Sequence, residues 1–235
     1  MKSENVLLLP GWLNSGPDHW QSRWQAAHGY TRVAQHDWAR ALRGDWIARL
    51  EDVVLAQTAD VPISLVAHGL GCLLVAAWAR LSRNTRRVKC AFLVAPCDVA
   101  LQALRPVLTS WKPVATHATH PPRPPIKPTQ PTAPTTQEPA TRPIWPSVPP
   151  ALPFKSLLLS SRDDPYCSFQ QAQALAETWG ATFVDGGACG HINAESGLGD
   201  WPQGHALLLA LQRGETVGAM RNGTSEKIQR MKATD

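Results

Sequence analysis

Short continuous apolar runs alternate with amphipathic stretches along most of this chain. "NVLLLP" (5–10), "TRVAQHDW" (31–38), "PISLVAH" (62–68), "VKCAFLVAP" (88–96), "FKSLLLSS" (154–161) and "ATFVDG" (181–186) read as six strands. Between them, "HWQSRWQAAHG" (19–29), "GDWIARLEDVVLAQ" (44–57), "GCLLVAAWARL" (71–81), "SFQQAQALAETWG" (168–180) and "DWPQGHALLLALQRG" (200–214) carry apolar residues at helical spacing. Trp46, Ile47, Leu50, Val53 and Val54 show that spacing most clearly, and Gly180 marks a helix end. Strands that are apolar throughout, rather than alternating, are buried on both faces. The pattern therefore predicts an α/β fold with a doubly wound, mostly parallel sheet. In such sheets ligands bind beyond the carboxyl ends of the strands, where "LPGW" and "APCD" mark turns.

One segment breaks the alternation. Residues 113–153, "PVATHATHPPRPPIKPTQPTAPTTQEPATRPIWPSVPPALP", are dominated by Pro, Thr and Ala. Proline fixes φ and removes a backbone donor, so neither a helix nor a central strand is expected there. The chain is thus read as one domain over residues 1–213, interrupted by a Pro-rich insertion at 113–153 and followed by a polar tail at 214–235. The insertion is a solvated loop, a lid over the sheet edge, or a tether for a protein partner. His117 and His120 lie within it but lack the neighbouring Cys or carboxylates that a metal site needs.

Composition narrows the picture. At 235 residues and 43% hydrophobic, the chain can bury one good core. Ten tryptophans recur near element ends, so several are expected to pack on the core or line a cleft. A net charge of +5 without basic runs interleaved with aromatics points away from nucleic acid. Five cysteines, odd in number and without a C-x-x-C pair, suit a reducing compartment. "MKSENVLLLPG" has too short an apolar run for a signal peptide, and no stretch reaches transmembrane length. A soluble cytoplasmic protein is expected, without cofactor or metal and without membrane association.

The candidate chemistry begins at "LVAHGLGCLLVAAWA" (65–79). A strand, a tight turn between small residues and a helix make the context of a nucleophile elbow, G-x-S-x-G or a relaxed form. The nucleophile's position is Gly69, which has no hydroxyl. Two later segments complete the order nucleophile, acid, base. "LLLSSRDDPYC" ends a strand at Asp163 and Asp164, and "VDGGACGHINAESG" places His191 in a glycine-rich loop after the last strand. An acid there would orient the imidazole, and the imidazole would take the nucleophile's proton. The backbone N–H of Leu70 and that of Trp12, with Leu13 as the other candidate, would form an oxyanion hole. Ser64 lies back inside the strand and Cys72 should face the core, so neither replaces the nucleophile.

The segments "LPGWLNSGPDHWQSRW", "LVAHGLGCLLVAAWA", "SSRDDPYCSFQQAQALAETWG" and "GACGHINAESGLGDWPQG" resemble the small α/β serine hydrolases similar to retinoblastoma-binding protein nine, the YdeN-like group. The resemblance spans nearly all of the chain except the insertion and the tail. It implies an α/β-hydrolase fold and hydrolysis of small esters or amides. It places the acid on Asp164 rather than Asp163, the base on His191, and the serine on Gly69, where this chain departs from the group. The retinoblastoma-binding L-x-C-x-E motif has no match, so that partnership is not implied.

Three explanations of Gly69 stay open: a hydrolase whose serine has been replaced, a pseudoenzyme that keeps its pocket for binding, or a site in which His191 activates a water directly. Loss of the nucleophile from a serine protease costs roughly a millionfold in turnover and leaves about a thousandfold over water. The reading is a serine-hydrolase scaffold with very low activity as written. Its alternative is a catalytically dead binding module that holds a small acyl compound or a protein through a Trp-lined cleft or the Pro-rich segment.

Overall fold

In the computed structural model, the described residues are 5–98, 101, 104, 108–111 and 151–215. The expectations for 113–150, including His117 and His120, and for the tail beyond 215 lie outside them. Six strands form one sheet: β1 (Asn5–Leu9), β2 (Thr31–Arg32), β3 (Ile63–Gly69), β4 (Val88–Pro96), β5 (Lys155–Ser160) and β6 (Thr182–Asp185). Their order is β2-β1-β3-β4-β5-β6, and each neighbouring pair is parallel. The helices are α1 (Trp20–His28), α2 (Arg43–Ala56), α3 (Leu70–Leu81), α4 (Phe169–Trp179) and α5 (Pro202–Arg213). Strand order reverses at β1, so crossovers run to both sides, as the alternating pattern predicts.

Both faces of the sheet are covered. Val6 and Leu8 of β1, Val66 of β3 and Phe92 of β4 pack with Trp20 and Trp24 of α1 and Leu207, Leu208 and Leu211 of α5. The intervening residues Leu7, Leu9, Leu65 and Ala67 are equally buried. With side chains alternating across a strand, two buried sets require two covering layers. α3 is apolar nearly all round and buried from Leu70 to Trp78, which fits a helix packed against both β3–β4 and α2.

One element departs from expectation. The stretch 31–38 pairs with β1 only at Thr31 and Arg32. Val33 still donates to the Leu8 carbonyl at 2.9 Å, and the chain then leaves the sheet. The Asp37 carboxylate accepts from the N–H groups of Ala39 and Arg40 at 2.9 and 2.8 Å, which is turn chemistry on an edge strand. At the opposite end of β4, the ladder to β3 slips between His68 and Gly69, and Ala95 takes φ +47°. That irregularity lies at the carboxyl edge, where the candidate residues gather.

Candidate active site

β3 ends on Gly69 and α3 starts on Leu70, so strand turns into helix at a single residue. Gly69 adopts φ +54°, ψ −121°, a conformation that costs a side-chain-bearing residue about 1–3 kcal/mol. Gly71 is demanded by space instead: a Cβ there would lie 2.3 Å from the Leu9 carbonyl oxygen. The start of α3 is thereby held against the carboxyl end of β1. No side chain caps α3, so the N–H groups of its first turn, Leu70 foremost, have no intrahelical acceptor.

The turn after β1 closes on the same point. A Cβ on Gly11 would stand 3.1 Å from the His68 carbonyl oxygen and 3.2 Å from the Leu70 nitrogen. Of the two candidate donors in this turn, Leu13 commits its N–H to the Trp38 carbonyl at 3.1 Å. The Trp12 indole donates to the Ala39 carbonyl at 3.0 Å. Leu13 and Asn14 both take positive φ, at 65° and 68°. Arg32 holds them from outside, donating to Asn14 Oδ1 at 2.6 Å and the Ser15 carbonyl at 3.0 Å.

His191 faces this turn from the loop after β6. Its Nδ1 donates to both oxygens of Asp164, at 3.0 and 2.9 Å, and the Asp164 carboxylate also accepts from the Tyr166 N–H at 2.9 Å. The Asp164 side chain is fully buried and that of His191 is 14% exposed. With Nδ1 fixed on Asp164, Nε2 turns toward the elbow, 3.4 Å from where a Cβ on Gly69 would sit. The adjacent Asp163 is bonded into the loop instead. It accepts from the Gly190 N–H at 2.8 Å and from Ser161 Oγ, which in turn accepts from the Cys189 N–H at 2.8 Å. His68 Nε2 donates to the His191 carbonyl at 2.9 Å, and the Trp20 indole to the Ile192 carbonyl at 2.8 Å. Four side chains thus pin a loop in which Ile192 is strained at φ +50°. Trp12, His68, Gly69, Leu70 and His191 line a cavity of about 290 Å³ together with Leu104, Leu108 and Cys97.

A strand-to-helix turn at Gly69, an imidazole aimed at it, a carboxylate behind the imidazole and the start of a helix beside it make a geometry of the kind acyl transfer uses. The model of a serine hydrolase family matches residues 6–210. The chain belongs to that serine hydrolase family. Among solved structures, a putative YdeN-like hydrolase from Pectobacterium atrosepticum is similar at 24% identity and TM-score 0.62, with 90% of each chain covered. The YdeN product of Bacillus subtilis is similar at 16% identity and TM-score 0.60, over 88% of this chain and 98% of that one. Carboxylesterase CesB of Bacillus subtilis follows at 15% and 0.55, over 91% and 85%. At these identities the likeness establishes a shared α/β-hydrolase fold. Among proteins with curated descriptions, none matches this chain.

Burial holds two histidines of this serine hydrolase neutral. His19 caps α1, its Nδ1 accepting from the Gln21 N–H at 3.1 Å, so its proton sits on Nε2. Burial, helped by the neighbouring His191 and Arg32, lowers its pKa to about 3. His68 is also held well below the usual histidine value, by burial and then by His19 and His191. Both stay neutral across physiological pH. Cys97 lines the cavity, yet burial pushes its thiol far up, and Cys167 is raised to about 12, so neither supplies a thiolate. Cys72 is buried, with its thiol directed at the Val94 carbonyl.

The tryptophans expected to pack on the core or line a cleft divide between the two. Among the described residues lining the cavity, Trp12 is the one tryptophan. Trp20, Trp24, Trp46 and Trp111 are buried, and their indoles donate to backbone carbonyls of Ile192, Asp200, Asp37 and Ala41. They fasten loops to the core. Gly69, Leu70, Trp12, Asp164 and His191 come together; the sequence pattern did not single out Ser161 and His19, and the His-Trp pair inside "DHWQSRW" is the signal that could have flagged the latter. Among the described residues, no cluster of His, Cys, Asp or Glu is placed to hold a metal ion, and no helix is long and apolar enough to cross a membrane.

Proposed function

We propose that this chain carries an ester- or amide-hydrolysing site of the serine hydrolase type. Asp164 orients His191, His191 serves as the base, and the N–H groups of Trp12 and Leu70 bind the oxyanion. The nucleophile's position is occupied by Gly69, so turnover as written is very low. The observation carrying this reading is the aim of His191: its Nε2 lies 3.4 Å from a Cβ built on Gly69, with Nδ1 held by Asp164. A serine hydroxyl added there falls within reach of a base already oriented to take its proton.

The esterase names of several structural neighbours support small esters as the substrate class. The nearer likeness to the retinoblastoma-binding protein nine group rests on the same four sequence segments. Five free, buried cysteines support a cytoplasmic setting. The Pro-rich segment is kept as a candidate contact for a protein partner.

Hydrolysis of p-nitrophenyl acetate and butyrate by Gly69→Ser, beside the protein as written, tests the reading. Serine at this position should raise the rate by roughly three orders of magnitude or more, given the millionfold cost of losing a nucleophile from an intact site. Equal rates for the two proteins would reject the assignment.

A further inference from the structure

We propose that His19 is a substrate-binding residue of this site, its Nε2–H holding a neutral ether, carbonyl or hydroxyl oxygen that the substrate carries besides its scissile group. This rests on the hydrolase reading of the site and deepens it, naming oxygen-bearing esters and amides as the substrate class. His19 lines the cavity with Gly69 and His191 and is only 4% exposed. Its Nδ1 accepts from the Gln21 N–H at the start of α1, so the proton of the neutral ring sits on Nε2. That buried Nε2 has no hydrogen-bond partner among the described residues. The surrounding groups are engaged elsewhere. The His68 ring stands edge-on to His19 at 4.7 Å, and its Nε2 donates to the His191 carbonyl. Gln21 Oε1 is taken by Ser15 Oγ at 2.7 Å. A buried donor without an acceptor costs stability and is rare in folded proteins. On the wall of a cavity, the missing acceptor is supplied by what the cavity binds.

The chemistry of the partner follows from the donor. The proposed reaction already gives its oxyanion the N–H groups of Leu70 and Trp12, which leaves His19 for a second oxygen. That oxygen is neutral, because a buried anion requires a countercharge and the His19 ring carries none in the fold. Sheet order gives the two parts of such a ligand different surroundings. β1 and β4 flank β3 on opposite sides, so the segments that follow them leave the sheet on opposite sides of the strand that ends at Gly69. The segment after β1 brings Asn14 and His19 to the cavity. Among the described residues, the segment after β4 brings Cys97, Leu104 and Leu108, which suit hydrocarbon.

Isosteric ester pairs test the assignment in the full chain carrying Gly69→Ser. The pairs are p-nitrophenyl methoxyacetate against p-nitrophenyl butyrate, and 2-methoxyethyl acetate against butyl acetate, which place an ether oxygen in the acyl or the alcohol part. Each kcat/KM is divided by the rate constant of the same ester in alkali. In at least one pair the ether should be favoured by about five- to tenfold, the worth of one neutral hydrogen bond. Two further substitutions separate binding from helix capping. His19→Asn keeps an acceptor for the Gln21 N–H but loses the Nε2 donor, and should abolish the preference. His19→Gln supplies a side-chain N–H at the reach of Nε2 without the capping acceptor, and should retain it. A preference that survives His19→Asn, or that both substitutions remove alike, would overturn the proposal, because the N–H would then serve the fold or a bound water. So would the absence of any preference in Gly69→Ser, even if neither His19 variant folds. If Gly69→Ser cleaves the esters without preference, the His19 proposal alone is wrong; if it cleaves none of them, the hydrolase reading fails with it.

Discussion

Gly71→Ala is the substitution whose cost follows most directly from the structure. The new Cβ would lie 2.3 Å from the Leu9 carbonyl oxygen and 3.1 Å from both the Leu9 carbonyl carbon and the Pro10 oxygen, all backbone atoms. Relief requires the start of α3 and the end of β1 to separate by roughly an ångström, because no flexible side chain can give way. Overpacking of a tight core costs about 1–3 kcal/mol, and alanine in a helix returns at most about 1 kcal/mol over glycine. A net loss of about 1–2 kcal/mol is expected, seen as a lower urea midpoint with unchanged slope. Gly44→Ala is the control: it lies in α2, its Cβ would meet nothing within 4 Å, and it should stabilise by about 0.4–1 kcal/mol. Equal effects of the two substitutions, or a raised midpoint for Gly71→Ala, would refute the argument that α3 is seated on β1 by the missing side chain.

Other consequences are open to measurement. Gly69→Ser adds a side chain at φ +54° and should lower stability by about 1–3 kcal/mol, a fall of several degrees in Tm; an equal or higher Tm would count against strain at the elbow. In the Gly69→Ser background, Asp164→Asn should slow ester hydrolysis by about 10⁴, whereas Asp163→Ala, which only frees the loop, should cost about tenfold to a hundredfold. Comparable losses would mean that both carboxylates act on the imidazole. His19, with its folded pKa lowered to about 3, stays neutral in the fold while the unfolded chain takes up a proton below about pH 6.5. Its contribution is therefore complete above that pH and is lost as pH falls from about 6.5 toward 3, at about 1.4 kcal/mol per pH unit. His19→Asn, which keeps an N-cap acceptor, should flatten that limb in urea titrations from pH 7 to pH 4; an unchanged slope would place the acid sensitivity elsewhere.

Much of this was legible in the chain, and the exceptions have physical causes. The short, mostly apolar runs of β1, β3, β4 and β5, each followed by a turn signal, read as strands covered on both faces. The edge strand did not: 31–38 carries apolar residues at Val33 and Trp38, but with a partner on one side only it pairs over two residues and leaves the sheet before the Asp37 turn. Gly69, Asp164 and His191 could be placed because an elbow and the loops after two strands must share one sheet edge. Choosing Asp164 over Asp163 came from family likeness, since two adjacent carboxylates are indistinguishable until one is seen on the imidazole and the other on the Gly190 N–H. Which tryptophans pack on the core and which line a cleft was not legible for a related reason. An indole is equally at home in a cleft or a core, and what decides is the carbonyl its N–H finds, such as that of Ile192 for Trp20, 172 residues away.

The central claim is that the catalytic arrangement is complete but for one hydroxyl. Intact-mass measurement after treatment with a fluorophosphonate probe tests it most directly, because the reagent reports an activated serine without requiring knowledge of the substrate. The serine oxygen would attack phosphorus and expel fluoride, its proton passing to His191. The account predicts a single phosphonyl adduct on residue 69 of Gly69→Ser and none on the protein as written. A folded Gly69→Ser protein that stays unmodified, or an adduct on the protein as written, would contradict it.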